Sequence, residues 1–162
     1  MLIFIEGPDG SGKTTLCNEL INCGAANILI SVSRGTKNQS DFYYDIGRSN
    51  HKIVFDRCFI SDLAYRLWDN GKVGDLSLDE MLYILTNKDC RLIFCHSDTA
   101  FDDAMTRGES FITTKKNHDL ITNNYDVIQK LFGKFTKVPV MIYDRKFNDV
   151  SDVIEFIEKG GN

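Results

Sequence analysis

Short apolar runs alternate along the chain with segments whose apolar residues recur every three or four positions. A short apolar run is typical of a buried strand, and the wider spacing is typical of an amphipathic helix. The apolar runs predict five strands, at Leu2–Glu6, Asn27–Val32, Lys52–Asp56, Arg91–Cys95 and Val138–Tyr143. Because strands that alternate with helices form a parallel sheet covered on both faces, we expect an α/β fold with five parallel strands.

Residues typical of helix ends mark where several of the predicted helices begin or stop. Ser77 and Glu80 form a capping box, and Gly24 and Gly108 each follow a periodic segment as a C-terminal stop. The predicted helices cover Lys13–Cys23, Gln39–Ile46, Ser61–Trp68, 77–86, Thr99–Arg107, Asn117–Phe132 and a last segment that contains Val150, Val153, Ile154 and Ile157. No repeat or linker interrupts this alternation, so we expect residues 1–162 to form a single domain.

The segment after the first strand carries a phosphate-binding motif. Residues 7–14 match G-x-x-x-x-G-K-[ST] at every specified position. Such a loop turns backbone N–H groups toward phosphates, and the helix that follows adds a partial positive charge. Lys13 is expected to reach the β- and γ-phosphates and Thr14 to ligate Mg²⁺. A glycine-rich turn that binds nothing is the alternative. The residues assigned to ATP binding are Gly7, Asp9, Gly10, Ser11, Gly12, Lys13, Thr14 and Thr15.

Two other nucleotide-binding classes fit the sequence poorly. Asn87-Lys88-Asp89-Cys90 is one residue short of the N-K-x-D motif that reads guanine, and it precedes a predicted strand where it should follow one. A dinucleotide-binding G-x-G-x-x-G that began at Gly10 would need glycine at the position of Thr15. Both patterns are therefore coincidences.

Composition and charge narrow the classes of partner. The chain of 162 residues has a net charge of −4 and five cysteines without C-x-x-C spacing. These cysteines indicate free thiols in a reducing cytoplasm, and no apolar run is long enough to span a membrane. The acidic balance argues against a protein that coats nucleic acid, although it leaves DNA open as a substrate. Nucleotides are the expected partners, and a homodimer is compatible with the sequence.

A charged pair follows the third predicted strand. Asp56 lies at the strand tip, where it can hold Mg²⁺ through water or orient an acceptor; its alternative role is to cap a helix. Arg57 offers a planar fork for a phosphate, and its alternative is a surface pair with Asp62. In a parallel sheet, ligands bind beyond the carboxyl ends of the strands. We therefore expect this pair, the loop at Gly7 and the region after Cys95 to meet in one cleft.

The same segments resemble the thymidylate kinase family. Residues 56–65 are similar to its D-R-x-x-x-S-x-x-A-Y signature, and residues 4–15 are similar to its F-I-x-x-E-G-x-[DE]-G-x-G-K-[ST]-T start. Asp98, Thr99 and the later run Thr106-Arg107-Gly108-Glu109 resemble the entry to its lid. The match covers most of the chain in order, but the stretch between the second and third strands is shorter than usual. Related deoxynucleoside kinases share the opening motif.

The resemblance implies roles for an acid in the loop and for cations in a lid at about residues 107–117. The acid at the position of Asp9 contacts the 3′-hydroxyl of the acceptor's deoxyribose in that family. Gly10-Ser11 resembles members that lack a basic residue in the loop and supply the cation from the lid. The lid cations available here are Arg107, Lys115 and Lys116, of which Arg107 and Lys115 are the catalytic candidates. A solvated lysine pair is the alternative for the two lysines.

The acceptor pocket is expected in residues 34–50. Arg34 corresponds to an arginine of the family's T-R-E-P-G segment, and the run Phe42-Tyr43-Tyr44 lies where members place an aromatic ring against the base. Aromatic residues in a short helix are also typical of a core. The histidines show no arrangement of base and nucleophile and are expected to be structural or exposed. The candidate acceptor-binding residues are Asp9, Arg34, Phe42, Tyr43, Arg48, Arg57 and Tyr65.

These observations predict a nucleoside monophosphate kinase. It would move the γ-phosphoryl group of ATP, with Mg²⁺, to a deoxynucleotide such as dTMP or a related pyrimidine. Lys13, Asp56, Arg57, Arg107 and Lys115 are its expected catalytic residues, and Thr14 and Asp56 its metal ligands. The alternatives are a kinase for another acceptor (a deoxynucleoside, a modified pyrimidine or a base hydroxyl in DNA) and a nucleotide-binding protein without catalysis.

Overall fold

The computed structural model describes residues 1–32, 40–68, 76–108 and 112–159. Within these ranges strands and helices follow each other closely. In chain order the elements are β1 (Leu2–Glu6), α1 (Lys13–Asn22), β2 (Ile28–Ser31), α2 (Ser40–Ile46), β3 (Ile53–Asp56), α3 (Phe59–Trp68), α4 (Leu78–Asn87), β4 (Cys90–His96), α5 (Ala100–Arg107), α6 (Lys115–Phe135), β5 (Val140–Asp144) and α7 (Val150–Lys159).

The strands of these ranges form one parallel sheet in the order β2-β3-β1-β4-β5. Strand β1 is central, and its residue Ile5 is in register with Asp56 of β3 and Ile93 of β4. The carboxyl ends of β1, β3 and β4 therefore lie side by side at one edge of the sheet. The prediction of an α/β fold with five parallel strands is confirmed.

Two hydrophobic cores cover the two faces of the sheet. Side chains of a strand alternate between faces, so Phe4 of β1 packs into one core while its neighbours Ile3 and Ile5 pack into the other. The first core includes residues of α3, α4 and α6, and the second includes residues of α1 and α7. Burial on both faces explains why the central strands read as continuous apolar runs.

Helix α6 begins earlier than the sequence analysis predicted. The Thr114 hydroxyl accepts the backbone N–H of Asn117 and caps the helix, so that α6 starts at Lys115. Lys115 and Lys116 therefore lie in the first helical turn, whereas the prediction placed both in a lid loop. The apolar spacing that guided the prediction starts only at Ile121 and carries no information about this cap.

Helix α2 contributes its second aromatic residue, Tyr43, to the core. Its side chain is fully buried, and its ring lies 5.5 Å from that of Phe55 and 5.3 Å from that of Phe59. Tyr43 was predicted to be an acceptor-binding residue, but in the structure its ring is fully buried and packs against these phenylalanines. Phe42 beside it is 41% exposed.

None of the helices in the described ranges combines the length and the apolar character that crossing a membrane requires.

Candidate functional site

The loop between β1 and α1 is held tightly by its neighbours. Gly10 has φ +83°, and a Cβ atom built on it would lie 1.8 Å from the carbonyl oxygen of Ala100. A Cβ atom on Gly7 would lie 2.4 Å from the carbonyl oxygen of Cys95. The loop backbone thus packs directly on the end of β4 and the start of α5, and only glycine fits at these two positions.

Lys13 folds back over the loop. Its side chain is buried, and its Nζ donates a hydrogen bond to the carbonyl oxygen of Pro8 at 2.6 Å, with Ser11 Oγ at 3.5 Å. Burial lowers the pKa of this ammonium group to about 8, and the nearby positive charge of Arg57 adds to the effect. A polyphosphate in the loop would bring anionic oxygens to this charge.

Thr14 and Asp56 meet across the loop. The Thr14 hydroxyl, in the first turn of α1, donates to Asp56 Oδ2 at the tip of β3 over 2.6 Å. A hydroxyl and a carboxylate at this spacing are the kind of oxygen donors that Mg²⁺ prefers, since this ion takes few protein ligands and keeps its phosphate and water ligands. The two residues therefore fit the predicted metal site.

Arg57 lines the cavity beside the phosphate-binding loop. Its backbone has φ +72°, a left-handed conformation that L-residues rarely adopt, and its N–H donates to the carbonyl oxygen of Ile5 at 3.1 Å. Its Nη2 forms an ion pair with Asp9 of the phosphate loop. Its guanidinium also lies 6.0 Å from the centre of the Tyr65 ring. The strained backbone directs the side chain toward the loop, as expected of a functional arginine.

A buried acid anchors the helix that follows Arg57. Glu6 Oε1 accepts the backbone N–H groups of Cys58 at 2.6 Å and Ser61 at 3.3 Å, and Glu6 Oε2 accepts the Ser61 hydroxyl at 2.6 Å. Burial raises the pKa of Glu6, and the hydrogen bonds from Ser61 and Cys58 oppose that shift. The sequence analysis missed the role of Glu6, although an acid that ends a fully apolar strand is a signal of such a buried function.

One cavity of about 240 Å³ brings the predicted groups together. It lies beyond the carboxyl ends of the strands, as the sheet topology requires. Its walls include the loop residues Asp9 and Lys13 and the residues Asp56, Arg57 and Arg107. The structure thus joins the loop and the Asp56-Arg57 pair in one cleft.

The two lid candidates are placed differently. Arg107 ends α5 and lines the cavity, where its Nε donates to the carbonyl oxygen of Asp103 at 3.2 Å. Lys115 is largely exposed, and its Nζ lies 2.8 Å from Asp119 Oδ1 one turn further along α6. Arg107 is therefore the better-placed cation. Residues 109–111 of the predicted lid lie outside the described residues.

The acceptor candidates form no complete pocket among the described residues. Arg34 lies outside them, and Arg48 is exposed, with its Nη1 3.9 Å from Asp45 Oδ1. Tyr65 is partly buried beside Arg57; burial raises the pKa of its phenol and the arginine opposes this shift. Phe42 and Tyr65 remain the aromatic candidates for contact with a base.

Three further residues reach the site without having been predicted. His118 Nε2 lies 2.9 Å from the backbone oxygen of Asp9, and the Tyr125 hydroxyl lies 3.4 Å from Arg57 Nη1. The side chain of Arg145, which follows β5, passes 3.1 Å from the position of a Cβ atom on Gly12. Nothing in the local sequence around these residues signals such contacts, because each depends on packing between distant elements.

Comparisons with known proteins identify solved structures of similar fold. No family model and no curated protein matches the sequence. Among solved structures, the chain is similar to the YorR protein of Bacillus subtilis in complex with phosphorylated GDP, with a TM-score of 0.73 at 19% identity over 98% of this chain and 94% of that one. It is also similar to deoxyadenosine kinase from M. mycoides, with a TM-score of 0.63 at 19% identity over 98% and 97% of the two chains.

A gluconokinase from Sinorhizobium meliloti is a more distant match, with a TM-score of 0.51 at 12% identity over 96% of this chain and 87% of that one. The chain therefore shares the fold of these three proteins, two of which are kinases by name. At such identities the likeness concerns the fold, and the chemistry must be argued from the site.

Proposed function

We propose that this protein is a phosphotransferase that moves the γ-phosphoryl group of ATP to a deoxynucleotide, with dTMP or a related pyrimidine monophosphate as the first candidate. The observation that carries this proposal is the position of the Asp9–Arg57 ion pair. It lies in the same cavity as Lys13, Thr14 and Asp56, so that a donor and an acceptor would meet in one small volume.

The donor half follows from the loop. Backbone N–H groups at the start of α1 face the phosphates, and Lys13 exchanges its bond to the Pro8 oxygen for phosphate oxygens. Mg²⁺, held by Thr14 and Asp56, would neutralise charge on the β- and γ-phosphates. Arg107 at the cavity wall is positioned to add a cation near the transferred group.

The acceptor half follows from the ion pair. A monophosphate acceptor offers two negative charges that can replace the Asp9 carboxylate on the fork of Arg57. Asp9, once released from Arg57, would accept a hydrogen bond from a sugar hydroxyl. Phosphoryl transfer requires mainly that the two anions be aligned and their charge neutralised, and these groups supply both.

A deoxynucleoside is the second candidate acceptor, and one observation favours it. Arg57 is held on several sides, by Asp9, Ser61 and Tyr125, and a neutral acceptor would leave these contacts intact. The likeness to a deoxyadenosine kinase is in keeping with this alternative.

Incubation with γ-labelled ATP and Mg²⁺ tests the proposal directly. The acceptors would be deoxynucleosides, deoxynucleoside monophosphates and oligodeoxynucleotides, each offered alone. The proposal expects label in a diphosphate product, with dTMP among the best acceptors. Label in a monophosphate product would favour the deoxynucleoside alternative and label in the oligonucleotide a DNA acceptor. Saturable ATP binding without any labelled product would indicate a nucleotide-binding protein.

A further inference from the structure

Helix α6 touches both members of the Asp9–Arg57 pair. His118 reaches the backbone oxygen of Asp9, and Tyr125 reaches the guanidinium of Arg57. The two residues are seven positions apart, which is about two helical turns, so they project from one face of α6. The same face is buried in the core through Ile121 and Ile128. The helix that presents the two contacts is therefore fixed in place by packing.

The hydrogen bonds around Tyr125 run in one direction, from the donors of Arg57 toward Glu6 as the final acceptor. Arg57 has only hydrogen-bond donors, so Ser61 Oγ and Tyr125 OH, each 3.4 Å from its Nη1, must both accept from it. The Ser61 proton goes to Glu6 Oε2 at 2.6 Å. The Tyr125 proton then goes to Ser61 Oγ at 2.8 Å or to Glu6 Oε2 at 3.4 Å. The buried Glu6 thus accepts at the end of a chain of bonds that begins at Arg57.

The contact of His118 acts on the other member of the pair. The His118 ring is buried and packs edge-on against Phe101 of α5, with ring centres 5.5 Å apart. Since a carbonyl oxygen only accepts, His118 Nε2 carries the proton in the bond to Asp9. This bond fixes the loop backbone at Asp9. It thereby fixes the backbone position from which the Asp9 side chain reaches Arg57.

We propose that His118 and Tyr125 are positioning residues, which align the Asp9–Arg57 pair for the acceptor. This inference rests on the proposed function for its kinetic test. Its physical basis is independent of the identity of the acceptor. Without the Tyr125 hydroxyl, the guanidinium of Arg57 would have one hydrogen-bond acceptor fewer and would adopt a wider range of orientations. Only the binding of the acceptor substrate would be weakened.

The test compares Tyr125→Phe with Tyr143→Phe, which removes a hydroxyl from a tyrosine buried in the other core. With ATP and dTMP as substrates, Tyr125→Phe is expected to raise KM for dTMP about fivefold to tenfold, as for the loss of one ordinary hydrogen bond. KM for ATP should stay unchanged, and Tyr143→Phe should alter neither constant. An unchanged KM for dTMP in Tyr125→Phe would overturn the proposal.

Two further comparisons separate positioning from simple stability. In the background of Arg57→Gln, Tyr125→Phe should have no additional effect on KM for dTMP, whereas an undiminished effect would contradict a role through Arg57. His118→Leu should raise KM for dTMP. His118→Gln, whose amide can place an N–H donor near Nε2, should recover most of the wild-type value. Equal losses in the two His118 variants would count against the bond to Asp9.

A measurement that requires no catalysis tests this proposal separately from the proposed function. Nitrogen-15 NMR reports the rate of rotation about the Nε–Cζ bond of Arg57 in the free protein. The rate should increase in Tyr125→Phe and stay the same in Tyr143→Phe. If the wild type phosphorylates no acceptor, the proposed function is wrong. The rotation rate of the Arg57 Nε–Cζ bond would still show whether Tyr125 aligns the side chain of Arg57. An unchanged rate in Tyr125→Phe would overturn the alignment even in an active enzyme.

Discussion

The proposed donor and acceptor sides of the cavity are built in different ways. The proposed donor side is built mainly from one continuous stretch, residues 7–14, whose backbone is fixed by contacts with the end of β4 and the start of α5. The acceptor side is assembled from side chains of separate elements, with Arg57 after β3, Ser61 on α3 and Tyr125 on α6. A backbone site binds the phosphates that all nucleotides share, whereas a side-chain site can change its specificity by single substitutions. This difference explains why the donor is easier to infer than the acceptor.

Removal of the loop cation should have the largest effect. Lys13→Ala is expected to lower kcat by about 10²–10³-fold or more, as when one preorganised charge stabiliser is lost from an active site. The fold should remain, because no buried apolar packing depends on this ammonium group. Steady-state kinetics and circular dichroism measure the two properties. Near-wild-type turnover, or an unfolded variant, would contradict the assignment of the donor side.

Loss of the Arg57 charge should affect the acceptor side alone. Arg57→Gln is expected to raise KM for dTMP by about tenfold or more, since a charge-assisted pair is lost, and to leave KM for ATP within about twofold. Arg91→Gln is a matched control, because Arg91 also pairs with an aspartate, Asp89, but at the opposite end of the sheet. Equal changes in both KM values would mean that the two sides are not separate.

The burial of the Lys13 charge should also affect the stability of the free protein. Its pKa of about 8 lies below the ordinary 10.5, so between these values the unfolded chain binds more protons than the folded one. The free energy of unfolding contributed by this group therefore rises from pH 8 to 10.5. Lys13→Met removes the penalty and should be more stable at pH 7 by about 1–3 kcal/mol, with a smaller advantage at pH 10.

Denaturant unfolding of both proteins without nucleotide or Mg²⁺ measures this effect. The comparison uses the difference between the two proteins, because a buried cysteine such as Cys90, whose pKa burial raises to about 12, acts on both equally and in the opposite direction. A difference that is independent of pH would show that Lys13 carries no such penalty.

The smallest expected effect on kinetics concerns Phe42 of α2. Phe42→Ala should change KM for dTMP by about threefold, the range of one lost aromatic contact with a base, and change stability little. Tyr43→Ala should instead lower the free energy of unfolding by about 3–5 kcal/mol, because it removes a fully buried ring. Kinetics and unfolding of both variants check this division. An unaltered KM in Phe42→Ala would remove Phe42 from the acceptor site.

The sequence predicted those parts of the structure whose information is local. The sheet, the phosphate loop and the Ser77 capping box all follow from residues close together in the chain, and the structure contains them. A core position for the aromatic residues of α2 was considered only as an alternative, and the contacts of His118 and Tyr125 were missed, since each depends on which distant elements pack together. The helical position of Lys115 was missed because the cap at Thr114 precedes the apolar spacing that marks a helix.

Calorimetric titration of the protein with ATP and Mg²⁺ tests the central claim most directly, namely that residues 7–14 bind a nucleoside triphosphate beside the Asp9–Arg57 pair. One saturable site is expected in the wild type and in Arg57→Gln, with much weaker binding in Lys13→Ala. Absence of saturation in the wild type at millimolar ATP, or equal affinity in the wild type and Lys13→Ala, would contradict the account.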